Sequence, residues 1–204
     1  RKLSRFFVTE ETEVQAVREA DLSIEEGDFT VIMGQSGSGK STLLYALSGL
    51  DRPSSGEIEF QGRRIEALSE RELALLRRKG VGFVFQSINL VPNLTIEENI
   101  LVAGYLLKRR LHAGQRDAVV ARARELMETL DIAMVADHLP AESSGGEQQR
   151  AALASPLLDQ PDLLFADEPT GSLNFSSGRK LLDHLGFINA SGQSIVMVTH
   201  DLDL

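Results

Sequence analysis

The sequence contains no cysteine. Without thiols there is no disulfide framework and no thiolate metal site, and a reducing compartment such as the cytoplasm suits the chain. A basic excess is also missing: 21 Lys and Arg stand against 30 Asp and Glu, for a net charge of −9. That balance argues against a nucleic-acid-binding surface, which usually carries surplus positive charge. A membrane-protein partner remains open, because docking can be local. Long hydrophobic runs are absent too. No apolar stretch approaches the roughly 18 residues needed to cross a bilayer, and no signal-peptide pattern is visible. If the protein works at a membrane, another polypeptide is expected to supply the spanning part. Internal repeats and low-complexity linkers are likewise lacking. What remains is ordinary globular material: 204 residues, 42% hydrophobic and 25% charged. That suffices for one large domain or two small ones with a core.

The most informative stretch is Gly34-Gln35-Ser36-Gly37-Ser38-Gly39-Lys40-Ser41-Thr42. It fits the phosphate-loop pattern G-x-x-x-x-G-K-[ST]. Phe29-Thr30-Val31-Ile32-Met33 before it reads as a short buried strand, and Thr42-Leu43-Leu44-Tyr45-Ala46-Leu47 as the start of a helix. Strand, glycine loop and helix together let backbone N–H groups surround a phosphate at a helix N-terminus. Lys40 would add a point charge to the β- and γ-phosphates, and the Ser41 hydroxyl would ligate Mg²⁺. The competing reading is a glycine-rich turn that matches by chance.

Around this loop the N-terminal third reads as β structure. Phe6-Phe7-Val8 and Val14-Gln15-Ala16-Val17 are short apolar segments, and Leu22-Ser23-Ile24 alternates before a turn at residues 25–28. Glu57-Ile58-Glu59-Phe60 alternates as a strand, and Gln61-Gly62 suggests a hairpin. Val81-Gly82-Phe83-Val84-Phe85 reads as a buried strand ending at Gln86. From about Ile96 to Asp131 the apolar spacing is helical. The run Lys108-Arg109-Arg110 inside it reads first as a solvated helix end. Leu163-Leu164-Phe165-Ala166 and Ser194-Ile195-Val196-Met197-Val198-Thr199 are two further buried strands. Strands separated by helices predict an α/β fold with a mostly parallel sheet, whose chemistry lies at the strands' carboxyl ends.

Three strand ends carry candidate chemistry. Asp167 would hold Mg²⁺ directly or through water, and Glu168 could act as general base toward an attacking water. Paired carboxylates also occur as surface pairs or helix caps, but a phosphate loop upstream favours the functional reading. Gln86 could ligate Mg²⁺, orient water, or report γ-phosphate occupancy to the helical segment. His200 could reach the γ-phosphate or the attacking water, although a lone histidine is more often structural. Ser143-Ser144-Gly145-Gly146-Glu147-Gln148 opens a polar helix and makes a second anion site. One nucleotide does not need two such sites in one chain. Two make sense if each nucleotide is sandwiched between one protomer's phosphate loop and the Ser-Gly-Gly turn of another. The simpler alternative is a glycine loop with a serine cap.

Taken in order, residues 34–42, Gln86, residues 144–148, residues 163–168, Gly171-Ser172-Leu173-Asn174 and His200 make the chain resemble the nucleotide-binding domain of an ATP-binding cassette (ABC) transporter. The resemblance covers essentially the whole chain. The runs Gly82-Phe83-Val84-Phe85-Gln86, Leu94-Thr95-Ile96-Glu97-Glu98-Asn99 and Ala166-Asp167-Glu168-Pro169-Thr170-Gly171 resemble the branch serving lipoprotein release, macrolide efflux, cell division and antimicrobial-peptide resistance. The resemblance implies a P-loop NTPase core with an N-terminal antiparallel β subdomain and an inserted helical subdomain. Residues 1–88 and 161–204 would form the core and residues 89–160 the helical part. It implies ATP and Mg²⁺ as ligands, with Phe7 stacking on adenine. Phosphate contacts would come from Gly34, Ser36, Gly37, Ser38, Gly39, Lys40, Ser41 and Thr42, and across a homodimer from Ser144, Gly145, Gly146 and Glu147. Ser41, Gln86 and Asp167 would serve the metal; Glu168, His200 and Gln86 would serve catalysis. The implied partner is an integral-membrane permease at the cytoplasmic face of the plasma membrane.

The chain departs from the family pattern in places. Ser143 stands where Leu usually opens the signature, Ser155-Pro156 where Arg-Ala is usual, and Asn174 where Asp is usual. Pro156 predicts a bend or break in its helix. Domains of this kind usually continue with a further strand and helix beyond the position of Leu204. Two functions follow from the resemblance: an ATPase that drives a separate membrane subunit for export or release of a lipophilic or peptide substrate, and an ATP-driven mechanical switch without transport. A soluble P-loop kinase is disfavoured by the Ser-Gly-Gly turn.

Overall fold

Phe6-Phe7-Val8 and Val14-Gln15-Ala16-Val17 pair with each other. In the computed structural model, which describes residues 1–8, 12–107 and 113–201, they belong to β1 (Leu3–Val8) and β2 (Glu13–Ala20), an antiparallel ribbon. Leu22-Ser23-Ile24 forms no strand despite its alternation. No neighbouring strand among the described residues gives it a ladder partner. The chain runs on into β3 (Phe29–Met33). After the phosphate loop comes α1 (Lys40–Leu47). The strand expected from Glu57 is only two residues long, β4 (Glu59–Phe60), paired with β5 (Arg63–Arg64). Gln61 and Gly62 make the turn at φ of 50° and 74°, the left-handed pair that a two-residue type I′ hairpin requires.

The main sheet adds β6 (Val81–Val84), β7 (Leu163–Asp167) and β8 (Ser194–Thr199) to β3. All four strands run parallel in the order β3-β8-β7-β6. Crossover helices must return the chain to the same edge before each new strand, which enforces the parallel sense. The register aligns Met33 with Thr199, Asp167 with Val198, and Val84 with Ala166. All four carboxyl ends therefore lie along one edge.

β7 and β8 are buried along their whole length, so their apolar runs are continuous rather than alternating. Leu163, Phe165, Val196 and Val198 pack with Leu44 of α1 on one face. Leu164, Ala166, Ile195 and Met197 lie in the larger core on the other. That core also takes residues from α3 (Ile96–Leu107), α4 (Ala113–Thr129), α5 (Gly145–Leu157) and α6 (Phe175–Ala190). A third cluster joins Leu3, Ala46, Ile58 and Ile65 to Leu73 of α2 (Glu70–Lys79). Each Leu, Ile, Val, Phe or Met side chain among them contributes about 1.5–3 kcal/mol on full burial. Lys108-Arg109-Arg110 lies outside the described residues. Among the described residues no helix is long and apolar enough to cross a membrane.

Helix starts follow from local chemistry. In the Leu94-Thr95-Ile96-Glu97-Glu98-Asn99 run, Glu98 N–H donates to Thr95 Oγ1 at 3.2 Å and Thr95 N–H to Glu98 Oε2 at 2.9 Å. This reciprocal capping box opens α3. The buried Asn99 amide then donates to the carbonyls of Val91, Leu94 and Thr95 and fixes the preceding loop. The break expected at Pro156 comes only at the helix end: α5 runs through Pro156 and stops one residue later. A proline in the last turn removes a single ladder bond, and its ring uses the space left by Gly82. A Cβ built on Gly82 would stand 3.2 Å from Pro156 Cβ and 2.9 Å from Pro161 Cγ.

Two turn glycines should respond differently to alanine. Gly56 has φ +94°, and an added Cβ would lie 2.5 Å from Lys2 O and 2.7 Å from Leu3 Cα. Gly62 has φ +74° with nothing within 4 Å. Urea unfolding should show Gly56→Ala destabilised by at least about 2 kcal/mol, and Gly62→Ala by about 1 kcal/mol from backbone strain alone. Equal losses would contradict the close packing at Gly56.

Candidate nucleotide site at the carboxyl edge of the sheet

The phosphate loop leaves β3 at Met33 and enters α1 at Lys40. Its centre, from Gln35 to Ser38, is exposed. Gly37 and Gly39 sit at φ of 77° and 88°, a conformation that glycine adopts without steric cost. Gly39 faces a second constraint. β1 pairs Arg5 with Val17 and Phe6 with Gln15, so Ala16 is the extra residue of a bulge in β2. The Ala16 carbonyl oxygen would lie only 2.0 Å from a Cβ at Gly39. Only glycine allows the outer ribbon to approach the loop this closely. The Gly34 position is tight too, with Ser38 Oγ 2.9 Å from a built Cβ. Ser36 and Ser38 lie on the exposed arch, and Thr42 is half-buried in the first turn of α1.

Lys40 is buried, and its Nζ donates to Gly34 O and Gln35 O, both at 2.8 Å. It also lies 3.8 Å from Glu168 Oε1. Ser41 Oγ donates to Asp167 Oδ1 at 2.7 Å, joining α1 to the end of β7. Asp167 is only 1% exposed. One helical turn beyond Ser41, burial and then the neighbouring Asp167 carboxylate push the Tyr45 phenol up to about 12. Sequence reading missed Tyr45; its only signal was its i+4 spacing from Ser41.

Glu168 gathers the remaining groups. Gln86 Nε2 donates to its Oε2 at 3.1 Å, and His200 Nδ1 lies 3.1 Å from the same oxygen. Gln86 sits two residues past the end of β6 rather than on it, since the strand closes at Val84. Glu168 has φ 44°, a left-handed conformation costing about 1 kcal/mol or more outside glycine. It is held there by Glu168 N–H donating to Val198 O at 2.9 Å and Gly171 N–H donating to Glu168 O at 3.0 Å. Lys40, Ser41, Gln86, Asp167, Glu168 and His200 are thus one constellation. Among the described residues no three His, Asp or Glu side chains could hold a metal by themselves. Ser41, Gln86 and Asp167 fit Mg²⁺ only together with phosphate oxygens and water, the usual manner for this ion.

The Ser-Gly-Gly turn stands apart from that constellation in its bonding. Ser144 Oγ accepts from Glu147 N–H at 3.3 Å and donates to Glu147 Oε2 at 2.7 Å, and Ser144 N–H donates to the same oxygen at 2.7 Å. These bonds hold the Glu147 carboxyl below its ordinary value. Ser143 Oγ donates to Leu139 O at 3.3 Å, so the serine replacing leucine is tied to the preceding turn. Gly146 faces α6: a built Cβ would be 3.1 Å from Ser177 Oγ. Gly145 is open, with Leu173 Cδ2 at 4.0 Å as the nearest neighbour. Phe7, on β1, is 42% exposed.

Comparison with known proteins matches this geometry to a family. The ABC transporter family model matches residues 17–171. The chain belongs to the ABC transporter family. It is an ATP-binding cassette with that family's P-loop α/β architecture. It is 42% identical over 203 residues to the macrolide export ATP-binding/permease protein MacB of Marinobacter nauticus, covering 99% of this chain and 31% of that protein. It is 45% identical over 188 residues to the ABC transporter ATP-binding protein YvcR of Bacillus subtilis, covering 92% of this chain and 71% of that one. Escherichia coli YbbA is 45% identical over 195 residues, with 95% and 83% covered. The chain therefore spans about a third of the MacB relative and most of the other two. A solved dimer of the ATP-binding cassette MJ0796, bound to ADP and Pi, superposes with TM-score 0.87 at 35% identity, covering 100% of this chain and 88% of that one.

Asn174, the departure from aspartate, caps α6: its Oδ1 accepts from Ser177 N–H at 2.9 Å. Asn174→Ala should cost about 1 kcal/mol in thermal or urea unfolding. Asn174→Asp should keep the cap and gain a few tenths from the helix dipole. A neutral Asn174→Ala would show that the cap does not hold the helix.

Proposed function

We propose that this cassette binds ATP with Mg²⁺ at the carboxyl edge of its sheet, hydrolyses it, and closes as a homodimer to drive a membrane permease at the cytoplasmic face of the plasma membrane. The convergence of Lys40, Gln86 and His200 on Glu168, beside Ser41 bonded to Asp167, carries the proposal. Ser41, Gln86 and Asp167 would hold Mg²⁺ with the nucleotide, and the ion would supply positive charge against the charge developing on the phosphates. The exposed backbone between Gln35 and Ser38 cradles phosphate, and Lys40 adds its charge. Glu168 accepts a proton from the attacking water as that water's oxygen bonds to the γ-phosphorus and the bond to the bridging oxygen breaks. Gln86 and His200 keep the carboxylate aimed at that edge. Residues 1–88 and 161–204 act as the core, and residues 89–160 as the helical body that carries the signature turn. Phe7 stacks on adenine.

The family and the MacB relative's printed role support export or release as the output. The permease is a separate subunit or, as that relative's name states, part of one ATP-binding/permease protein. Ser144, Gly145, Gly146 and Glu147 serve the opposite protomer's nucleotide, a reading supported by the dimeric MJ0796 cassette.

Glu168→Gln should retain ATP binding while purified ATPase turnover falls ~10²–10⁴-fold. Near-wild-type turnover would remove Glu168 from the role of base.

Gly145→Asp tests the composite site. A Cβ at this position meets nothing closer than Leu173 Cδ2 at 4.0 Å outside its own helix turn, so folding and monomer ADP binding should persist. ATP-dependent dimerisation, read by light scattering in the Glu168→Gln background, should be lost. Full dimerisation would reduce the turn to a helix cap.

A further inference from the structure

Arg5, Phe7 and Asp51 form a connected stack of which the steps above use only Phe7. Arg5 and Phe7 are two residues apart on β1 and project from the same face. The guanidinium carbon of Arg5 lies 4.7 Å from the Phe7 ring centroid, within cation–π range. The same guanidinium is tied to Asp51: its terminal nitrogen donates to Asp51 Oδ1 at 3.0 Å, and its Nε lies 2.9 Å from Asp51 Oδ2 as an ion-pair contact without hydrogen-bond geometry. A charge-assisted hydrogen bond with an ion-pair contact beside it holds the guanidinium against the carboxylate. Asp51 is itself fixed to α1, because its N–H donates to Tyr45 O at 3.0 Å. The contacts therefore run without a gap from the helix that begins with Lys40 and Ser41 to an aromatic ring on the outer ribbon.

The ribbon needs such a link. Among the described residues β1 and β2 form no part of the main sheet, and beyond their own pairing β1 makes one isolated bridge, Ser4 with Ser55; a two-stranded ribbon is marginally stable by itself. Its Ala16 bulge touches the phosphate loop at Gly39, which sets its position near the loop but not the angle of the Phe7 ring. A solvent-exposed phenylalanine otherwise samples several rotamers. With Arg5 across one face, the ring has one orientation and one face left for a planar base.

We propose that Arg5 is a positioning residue for the nucleotide base, clamped by Asp51 so that Phe7 presents a fixed stacking face in register with the phosphate loop. The proposal rests on the reading of Phe7 as the adenine platform. Lysine could not replace Arg5 fully, because a compact ammonium cannot both donate to Asp51 and cover the Phe7 ring as a planar guanidinium does.

Calorimetric titration separates the two claims. Mg-ADP is the first probe, chosen because it keeps the measurement off ATP-driven dimerisation; inorganic tripolyphosphate is the second, because it lacks the base. Phe7→Ala should weaken ADP about tenfold, the size of one lost base–aromatic stack. Arg5→Met and Asp51→Asn should each weaken ADP roughly threefold, the size of one exposed cation–π contact. The double variant should lose no more than either single one, because both break the same clamp. Tripolyphosphate affinity should stay at the wild-type value throughout. If Phe7→Ala weakens ADP while both clamp variants bind it as wild type does, the clamp is overturned and the platform stands. If Phe7→Ala is harmless, the platform reading fails and the clamp falls with it. Equal losses for ADP and tripolyphosphate would make the clamp a support of the phosphate loop and overturn its role toward the base. Asp51→Asn keeps shape and most local bonds, so it decides the matter even if Arg5→Met melts early.

Discussion

Parallel strands held in register must finish along a common edge, and the site depends on that constraint. The pairing of β3 with β8, of β8 with β7 and of β7 with β6 aligns their ends to within a residue or two. The segments that leave those ends carry the phosphate loop, His200, Asp167 with Glu168, and Gln86. Residues as far apart in the chain as Lys40 and Glu168 meet because burial of β7 and β8 on both sheet faces leaves the central strands no freedom to slip. A one-residue slip of β7 would turn Phe165 from the α1 side of the sheet to the other and carry Asp167 away from Ser41. The packing of Leu44 against Phe165 and Val198 is therefore part of what aims the chemistry.

A second constraint is close approach. Lys40 and Ser41 open α1 at the point where the Ala16 bulge crowds Gly39, so the loop is confined between the main sheet and the outer ribbon. The glycine pattern of the loop thus serves the fold and the phosphate together. Glu168 illustrates a related compromise. Its left-handed backbone is unfavourable, yet bonds to Val198 and Gly171 hold it where one carboxylate meets Lys40, Gln86 and His200. Strain of this kind persists only where the surroundings over-determine it.

The departures from the family pattern have local structural explanations. Asn174 caps α6 as aspartate would, because the cap needs an oxygen acceptor and not a charge. Ser143 bonds to the Leu139 carbonyl. Pro156 falls in the last turn of α5, over a glycine that makes room for its ring. None of the three disturbs the capping box that opens α5.

The sequence by itself determined the class of the fold and named most of the residues that gather at the sheet's carboxyl edge. Residues 34–42 declared a phosphate loop, because glycine, lysine and serine at fixed spacing have few other uses. The apolar runs at residues 163–166 and 194–199 declared buried parallel strands, because only a sheet covered on both faces needs them unbroken. Local patterns were less reliable where no partner confirmed them: Leu22-Ser23-Ile24 alternates but pairs with no strand among the described residues, and the strand from Glu57 shrinks to two residues at its hairpin. Tertiary structure alone decided that Gln86 and His200 converge on one oxygen of Glu168, that Tyr45 lies beside Asp167, that Ala16 requires Gly39, and that Arg5 bridges Asp51 to Phe7. These are contacts between elements far apart in the chain. Spacing along a sequence encodes periodicity within an element, but the distance between two elements is set only when their buried faces pack.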